Sequence, residues 1–534
     1  MALQKQKLFF ILQYSSLTNF CTMRIDKLII SNRSALQKKY GAAGLLKIQS
    51  SIKKLVSADK KRQLNSLLVF VDDGDAIKKV KGTKVTDSTD ASANKNAVDA
   101  LAKYYHPDYF MLLGATDIIP HCRFKIVIPD DDDTYVPSDT PYACDAPFSR
   151  NAGDFIAPSR VLGRLPDING SSDVSYLIAL IEKSINWKCL KPAAYNNYFA
   201  LSVKWWEKST RISISNIFGD NQKLLLAPPT LSGYSKPALA AKMHFFNCHG
   251  GLRTPDFYGQ PNSNSDSYPV CFNSEMLKDK ISEGTVAVAE CCYGGLLYNP
   301  YKPTTIAQPI CNSYLQNNAL AFVGSTTAAY GPDDSQGAAD YITQYFFIAL
   351  KKGASCGRAF LEAQQRFVEK GDVKMDPVDL KTIIQFLLLG DPSVQPVENI
   401  AKDIAANNPV KSIVNRKENV SKDRKERRIK LAEKSVYINM VSDAPVKLDT
   451  TPRGNVKKEI TAVLKEHNFE DTTGFSYGFK KKQSAKSKAM GMPAEYKYHL
   501  YGCKKAGTAL DTVHVLVMQE VDNKITEVKE YVRR

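Results

Sequence analysis

Two apolar runs in this chain end in residues that can do covalent chemistry together. Met243-His244-Phe245-Phe246-Asn247-Cys248 leads into His249-Gly250-Gly251, and Thr285-Val286-Ala287-Val288-Ala289 leads into Glu290-Cys291-Cys292-Tyr293-Gly294-Gly295. Each run has the length and apolar texture of a strand buried on both faces of a parallel sheet. Sites of α/β proteins collect at the carboxyl ends of such strands. Hydrolysis of a peptide bond by a thiol needs a Cys nucleophile, a His that hands a proton to the leaving amine, and N–H donors for the oxyanion. Glycine after each polar group lets the backbone come close to a ligand. On these residues alone, a satisfied His and two structural thiols at strand ends is the favoured reading. Either Cys291 or Cys292 can be the nucleophile.

The elements that must carry these residues follow a βα rhythm. Lys27 to Ser31, Leu67 to Val71 and Tyr109 to Leu113 read as buried strands, with helical spacing over Leu45 to Val56 between the first two. Residues 79–96, rich in Lys, Thr, Ser, Asp and Asn, read as an exposed loop. The polar stretch 125–150 holds the acidic run Asp130 to Asp133; clustered carboxylates suit Ca²⁺, but a solvated loop is the simpler reading. Ser172 to Trp187 has the spacing of an amphipathic helix. A second set follows: a strand near Tyr198 to Val203, a helix near Ile212 to Phe218, the His-bearing and Cys-bearing strands, and a strand from Ala319 to Ser325. Helices over Asp340 to Leu350 and Gly357 to Val368 come next, and Phe386 to Leu389 with Gly390-Asp391-Pro392-Ser393 closes the unit. Alternating strands and helices predict a mostly parallel, helix-covered sheet.

At 534 residues with 43% hydrophobic side chains, the chain can hold several domains with real cores. No apolar run reaches the roughly 18–20 residues of a membrane span. Lys5-Gln6-Lys7 before Leu8 to Leu12 has the order of a signal peptide, but the run is short and no small-x-small site follows. A cytoplasmic chain is therefore expected, with Met23 an equally good start. Eleven scattered cysteines in apolar runs, without zinc-site spacing, are the usage of a reducing compartment; neither metal nor cofactor is called for. The net charge of +17 is uneven, because residues 401–534 carry 28 Lys and Arg against 17 Asp and Glu. Val410 to Lys434 reads as a charged linker or solvated helix. Beyond it, a helix near Val456 to His467 and two alternating runs, Tyr496 to Tyr501 and Val513 to Gln519, predict a small α+β domain with an antiparallel hairpin.

Taken in order, these motifs resemble the caspase, legumain, metacaspase and gingipain clan of cysteine peptidases, and its gingipain-type branch most. Leu112-Leu113-Gly114-Ala115-Thr116-Asp117-Ile118-Ile119-Pro120 is similar to that branch's first-subdomain strand and turn, and Val161-Leu162-Gly163-Arg164-Leu165-Pro166 to its Gly-Arg-x-Pro element. Phe322-Val323-Gly324-Ser325 and Leu388-Leu389-Gly390-Asp391-Pro392-Ser393 are similar to its later strand and closing motif. The likeness spans residues 25–400. It implies a caspase-like α/β fold in two subdomains, a His249/Cys292 dyad, and oxyanion donors at the N–H groups of Gly250 and Cys292. Glu290 two before Cys292, and Gly295 three after it, fit the clan pattern; Cys291 with Gly294 is the alternative register. Gingipains also carry a carboxylate that orients the His, at the start of the second half. Here that region reads Ser202-Val203-Lys204-Trp205-Trp206-Glu207, so Glu207 takes the role or the role is missing.

The resemblance also bears on selectivity. The loop after the strand beside the nucleophile lines the pocket for the residue before the scissile bond, and here it carries Gly331-Pro332-Asp333-Asp334. Asp333 or Asp334, with Asn247 two before the His, would hold a basic side chain, lysine before arginine. The expected organisation is an N-terminal extension (1–24), two caspase-like subdomains (25–190 and 191–400), a charged linker (401–435) and a basic C-terminal domain (436–534). The partners implied are protein or peptide substrates, with an activating partner acting through the C-terminal domain on a peptidase held inactive until triggered. A degenerate peptidase fold serving as an interaction module is the reading from another class. Nucleic-acid binding is a third and less favoured one, through Phe475, Tyr477 and Phe479 interleaved with Lys480 to Lys482.

Overall fold

In the computed structural model, the described residues are 24–370, 375–398, 426–439, 444–469, 472, 474–479, 496–507 and 510–534. A ten-stranded sheet runs through the molecule. In spatial order its strands are Ser66–Phe70, Lys27–Ser31, Tyr109–Leu113, Leu162–Leu165, Phe386–Gly390, Ala319–Ser325, Thr285–Ala289, Met243–Asn247, Tyr198–Val203 and Leu224–Ala227. The first five are mutually parallel, and so are the last five. The blocks run in opposite directions and meet where Ala319–Ser325 pairs antiparallel with Phe386–Gly390. The closing strand thus crosses back to lie beside Leu162–Leu165, in the first block rather than the second. Within the second block the strands ending at Asn247, Ala289 and Ser325 are neighbours, so their carboxyl ends share one edge.

Buried apolar side chains from both blocks form one contiguous core, and helices cover the sheet. Long-range ion pairs lock the strand ends. Lys27 reaches Asp59 at 3.1 Å and Asp391 of the closing motif at 2.5 Å, and Arg164 grips Asp139 bidentately at 2.7 and 2.5 Å, all buried. The region expected as a loop over 79–96 is loop only to Asp90. The Asp90 carboxylate accepts from the N–H groups of Ser92 and Ala93 and starts a helix, Ala91–Tyr105, which buries Ala97, Val98 and Leu101. Its Ser- and Asn-rich first turn hid the helix from composition. The acidic run 130–133 is neither a solvated loop nor an oxygen cage. Asp131 and Asp133 are buried against the Lys381 ammonium, while Asp132 faces Lys504 and Arg533. No described helix is long and apolar enough to cross a membrane.

Of the charged stretch after residue 400, residues 401–425 lie outside the described residues. Residues 426–439 form a helix that buries Ile438 and packs on the first block through Ser435 Oγ, which donates to the Ala157 carbonyl. Beyond it stands an antiparallel sheet in the order Tyr330–Gly331, Lys524–Arg533, Thr512–Val521, Tyr496–Lys505, Gly474–Phe479 and Pro445–Leu448. The expected hairpin is there, and the helix Gly454–Glu466 covers one face through Val456 and Ile460 against Leu516 and Met518. Alternate residues Val513, Val515 and Val517 point the other way, as strand geometry requires, and pack with Ile128, Ala328, Val378 and Tyr531. The first strand of this sheet, Tyr330–Gly331, follows directly on the large-sheet strand Ala319–Ser325. The charged terminal strand Lys524–Arg533 was not legible in the sequence.

Candidate active site

The turn that presents the two thiols is held by backbone contacts from both neighbouring strand ends. The Glu290 N–H donates to the Phe246 carbonyl, Tyr293 N–H to Thr327 and Gly295 N–H to Ser325. Tyr293 has φ +55, a left-handed conformation uncommon for a bulky side chain. Its hydroxyl donates to Asp133 at 3.0 Å, and Asp133 also accepts the Ala328 N–H at 2.8 Å, which ties the turn to the loop beside it. On the opposite side, a Cβ at Gly250 would lie 1.9 Å from the Cys292 carbonyl oxygen. Only glycine lets the His249 segment come this close to the Cys292 turn.

The alternation of the chain separates the adjacent thiols. Cys291 Sγ faces the main core and accepts the Cys248 N–H at 3.4 Å. Cys292 Sγ faces the other way, accepting from Ala329 N–H at 3.2 Å and donating to the Ala329 carbonyl at 3.6 Å. His249 lies between Trp206 and Tyr268, with ring centroids at 4.4 and 5.1 Å. Its Nε2 is 2.7 Å from Gln260 Oε1. Because Gln260 Nε2 donates to the Ser265 carbonyl and to Tyr268 Oη, its oxygen must accept, so His249 Nε2 carries the proton and Nδ1 keeps the lone pair. Sequence reasoning missed Gln260, which lies in a polar loop. Glu207 instead opens a helix and pairs with Arg211 at 2.7 Å, partly exposed.

Beside the thiol the chain's own Arg534 fills a pocket. Its N–H donates to the Ala329 carbonyl at 2.9 Å, and its carbonyl oxygen accepts the Cys292 N–H at 3.2 Å. The preceding residues extend the small sheet, with Arg533 opposite Tyr330 and Val532 opposite Gly331. The Arg534 guanidinium lies 4.5 Å over the Trp206 ring, and its Nη2 reaches Asp340 at 3.1 Å, Ser209 Oγ at 3.3 Å and the Pro332 carbonyl at 2.6 Å. A Cβ at Gly331 would collide with this guanidinium at 2.4 Å. Beneath lies Glu290, wholly buried, accepting from Thr343 Oγ1 at 2.7 Å. Burial pushes the Glu290 carboxyl well above its ordinary range, with the Asp340 charge adding and Arg534 opposing. Burial also raises Asp340, again against Arg534. Burial thus favours the protonated form of both carboxyls, and Asp340 is the one that meets the cation.

The other pocket candidates have partners of their own. Asn247 is buried and donates through Nδ2 to Thr210 Oγ1 at 2.9 Å, while its Oδ1 has no hydrogen-bond partner among the described residues. Asp333 accepts from Trp205 Nε1 at 3.1 Å, and Asp334 pairs with Lys208 on the surface at 2.9 Å. Neither touches Arg534. Tyr477 is buried with its hydroxyl on the Val127 carbonyl, and Lys480 to Lys482 lie outside the described residues. Among the described residues no cluster of His, Cys, Asp and Glu is suited to a metal ion.

In this arrangement His249 and the Cys292 thiol are both held toward their neutral forms. Burial pushes the Cys292 thiol up to about 12, against Arg533, the Ala329 N–H and Lys381. Burial takes His249 down to about 3, opposed by the Gln260 bond and reinforced by the Arg533 and Arg534 charges. A neutral imidazole can take a thiol proton once solvent or substrate offsets the burial of both groups.

A strand-end thiol and a strand-end imidazole on a helix-covered sheet are the groups that thiol-dependent hydrolysis requires. The chain belongs to peptidase family C25, whose model matches residues 23–397, and it is a cysteine peptidase. Among solved structures it is similar to the Arg specific cysteine proteinase gingipain R, at 10% identity and a TM-score of 0.46 over 96% of this chain and 98% of that one. It is likewise similar to a protease at 13% identity and a TM-score of 0.45, over 97% and 99%. The separase–securin complex of Saccharomyces cerevisiae matches over 46% of this chain and 15% of that one, at 10% identity and a TM-score of 0.26. No curated protein matches.

Proposed function

We propose that the chain is an endopeptidase with a His249/Cys292 dyad that cleaves after a basic residue, arginine ahead of lysine. Cys292 Sγ loses its proton to His249 Nδ1 and attacks the scissile carbonyl. The Cys292 N–H steadies the oxyanion, with Gly250 N–H as the second donor. His249 then protonates the leaving amine, and water releases the acyl group. Gln260 positions the imidazole in the role expected of a carboxylate, and a neutral partner leaves His249 a weaker base than an acid would.

The observation that carries this reading is the seat of Arg534, whose carbonyl meets the Cys292 N–H while its guanidinium meets Asp340. Lysine is the choice that Asp333 or Asp334 as the pocket acid implies. With Asp340 as the acid, the long arginine stem carries Nη2 to Asp340, Ser209 Oγ and the Pro332 carbonyl while the flat guanidinium stacks on Trp206, which an ammonium on a shorter stem cannot do together. The test uses fluorogenic peptides that differ only in the residue before the cleaved bond, on Arg534→Ala protein. Arginine should be preferred over leucine by about 100-fold or more, since a wrong side chain leaves a buried carboxylate unmatched. Equal cleavage after Arg, Lys, Asp and Leu would contradict the assignment.

A further inference from the structure

We infer that the terminal strand of this chain is an intramolecular inhibitor that occupies the substrate cleft as a peptide would, with Val532, Arg533 and Arg534 in the last positions before the scissile bond. The inference rests on the peptidase reading above and adds a regulated resting state to it.

Residues 532–534 add to the edge Tyr330–Gly331 in antiparallel register, and the Arg534 N–H bonds the Ala329 carbonyl. An extended peptide recognised by an enzyme edge uses the same main-chain bonds. The Arg534 carbonyl lies on the Cys292 N–H, where charge would develop in a substrate. Occupancy also seals the dyad: Cys292 is 1% exposed and His249 3%. A substrate cannot reach either group while the strand is in place.

The side-chain contacts suit an occupant that must leave. Arg534 Nε and Nη1 are buried without a hydrogen-bond partner among the described residues, so the guanidinium uses one of its three nitrogens. A permanent structural ion pair buried this deeply is normally satisfied at every donor. The pocket meanwhile suits a cation, because the Asp340 carboxyl is buried beside Glu290 and otherwise accepts from the Ser209 hydroxyl and the Gly337 N–H, both uncharged. The strand is held by contacts away from the pocket: the Tyr531 hydroxyl donates to Asp376 at 2.9 Å, and Arg533 reaches Asp132 at 3.3 Å. Strand Lys524–Arg533 pairs along its length with Thr512–Val521. A tethered occupant acts at an effective concentration in the millimolar range, so modest pocket affinity suffices to exclude substrate.

The test compares full-length wild type with Arg534→Ala and Arg534→Lys in two readouts. One is cleavage of a peptidyl-arginine fluorogenic substrate; the other is the rate of Cys292 carboxymethylation by iodoacetamide, located by peptide mass spectrometry. Both rates should rise about tenfold or more in Arg534→Ala, with Arg534→Lys between, as expected when an intramolecular competitor is weakened. The free peptide Glu-Tyr-Val-Arg-Arg should slow the Arg534→Ala protein again, competitively with substrate. Wild type that cleaves and alkylates as fast as Arg534→Ala overturns the inference and leaves the peptidase reading standing. Faster alkylation without cleavage of any peptide upholds the occlusion and removes the peptidase reading. Should Arg534→Ala fail to fold, Arg533→Glu, which sets a carboxylate against Asp132 and leaves Arg534 in place, must raise both rates; a folded Arg533→Glu protein with unchanged rates overturns the inference.

Discussion

Replacing Lys381 by Met should destabilise the protein in a way that depends on pH, because the ammonium is the sole cation among the described residues that pairs with both Asp131 and Asp133. The Lys381 side chain is fully buried, with Asp131 and Asp133 at 2% and 9% exposure. Burial raises Asp131, with Lys381 opposing; burial also pushes Asp133 up, but Lys381 and its hydrogen bonds hold it below the ordinary value. Removing one partner of a buried ion cluster costs about 3–5 kcal/mol, since the remaining charges lose their compensation. In Lys381→Met both carboxyls would have folded-state pKa values above their unfolded value near 3.9, so the folded chain binds more protons than the unfolded one. The penalty is therefore full at neutral pH and shrinks as pH falls, by up to about 1.4 kcal/mol per pH unit for each carboxyl. Urea unfolding at pH 7 and pH 4.5, followed by tryptophan fluorescence, measures both the gap and its closure. A gap under about 1 kcal/mol at pH 7, well short of a buried-pair loss, or an equal gap at both pH values, would refute the reasoning. Activity should fall further than stability accounts for, because Asp133 holds Tyr293 in its left-handed turn.

Other outcomes follow from the same contacts. Cys292→Ala should abolish peptidase activity with the fold intact by circular dichroism, whereas Cys291→Ala should keep most of it; the reverse pattern would shift the nucleophile by one residue. Gly250→Ala must move the Cys292 carbonyl by more than an ångström to relieve the 1.9 Å approach, and kcat/KM on the Arg534→Ala background should drop about 100-fold or more. His249, unprotonated in the fold down to about pH 3 but titrating near 6.5 when unfolded, contributes stability that is present above pH 6.5 and lost as pH falls toward 3. His249→Asn should therefore lose less stability than wild type between pH 6.5 and pH 4 in the same urea assay.

What the sequence revealed and what it concealed follow one physical division. Strands buried on both faces announce themselves as apolar runs, so those ending at Asn247, Ala289 and Ser325 were legible, as were the glycines that close them. The groups that complete the site were not. Gln260 lies in a polar loop, and its bond to His249 is created by tertiary packing alone. Asp340 reads as an ordinary first-turn acid, and it does cap its helix through the Gly337 N–H while also facing Arg534. The terminal strand is dense in Lys and Glu because one of its faces is exposed, which masks its β character. Its landing beside Cys292, across 242 positions of sequence, is a long-range pairing that periodicity cannot foretell.

The most direct measurement is to react the Arg534→Ala protein with a peptidyl-arginine acyloxymethyl ketone and locate the adduct by mass spectrometry. The account predicts one adduct, on Cys292, that is lost in Arg534→Ala/Cys292→Ala and strongly slowed in Arg534→Ala/Asp340→Asn. Labelling of Cys291, or equal labelling by an otherwise identical leucine probe, would contradict it.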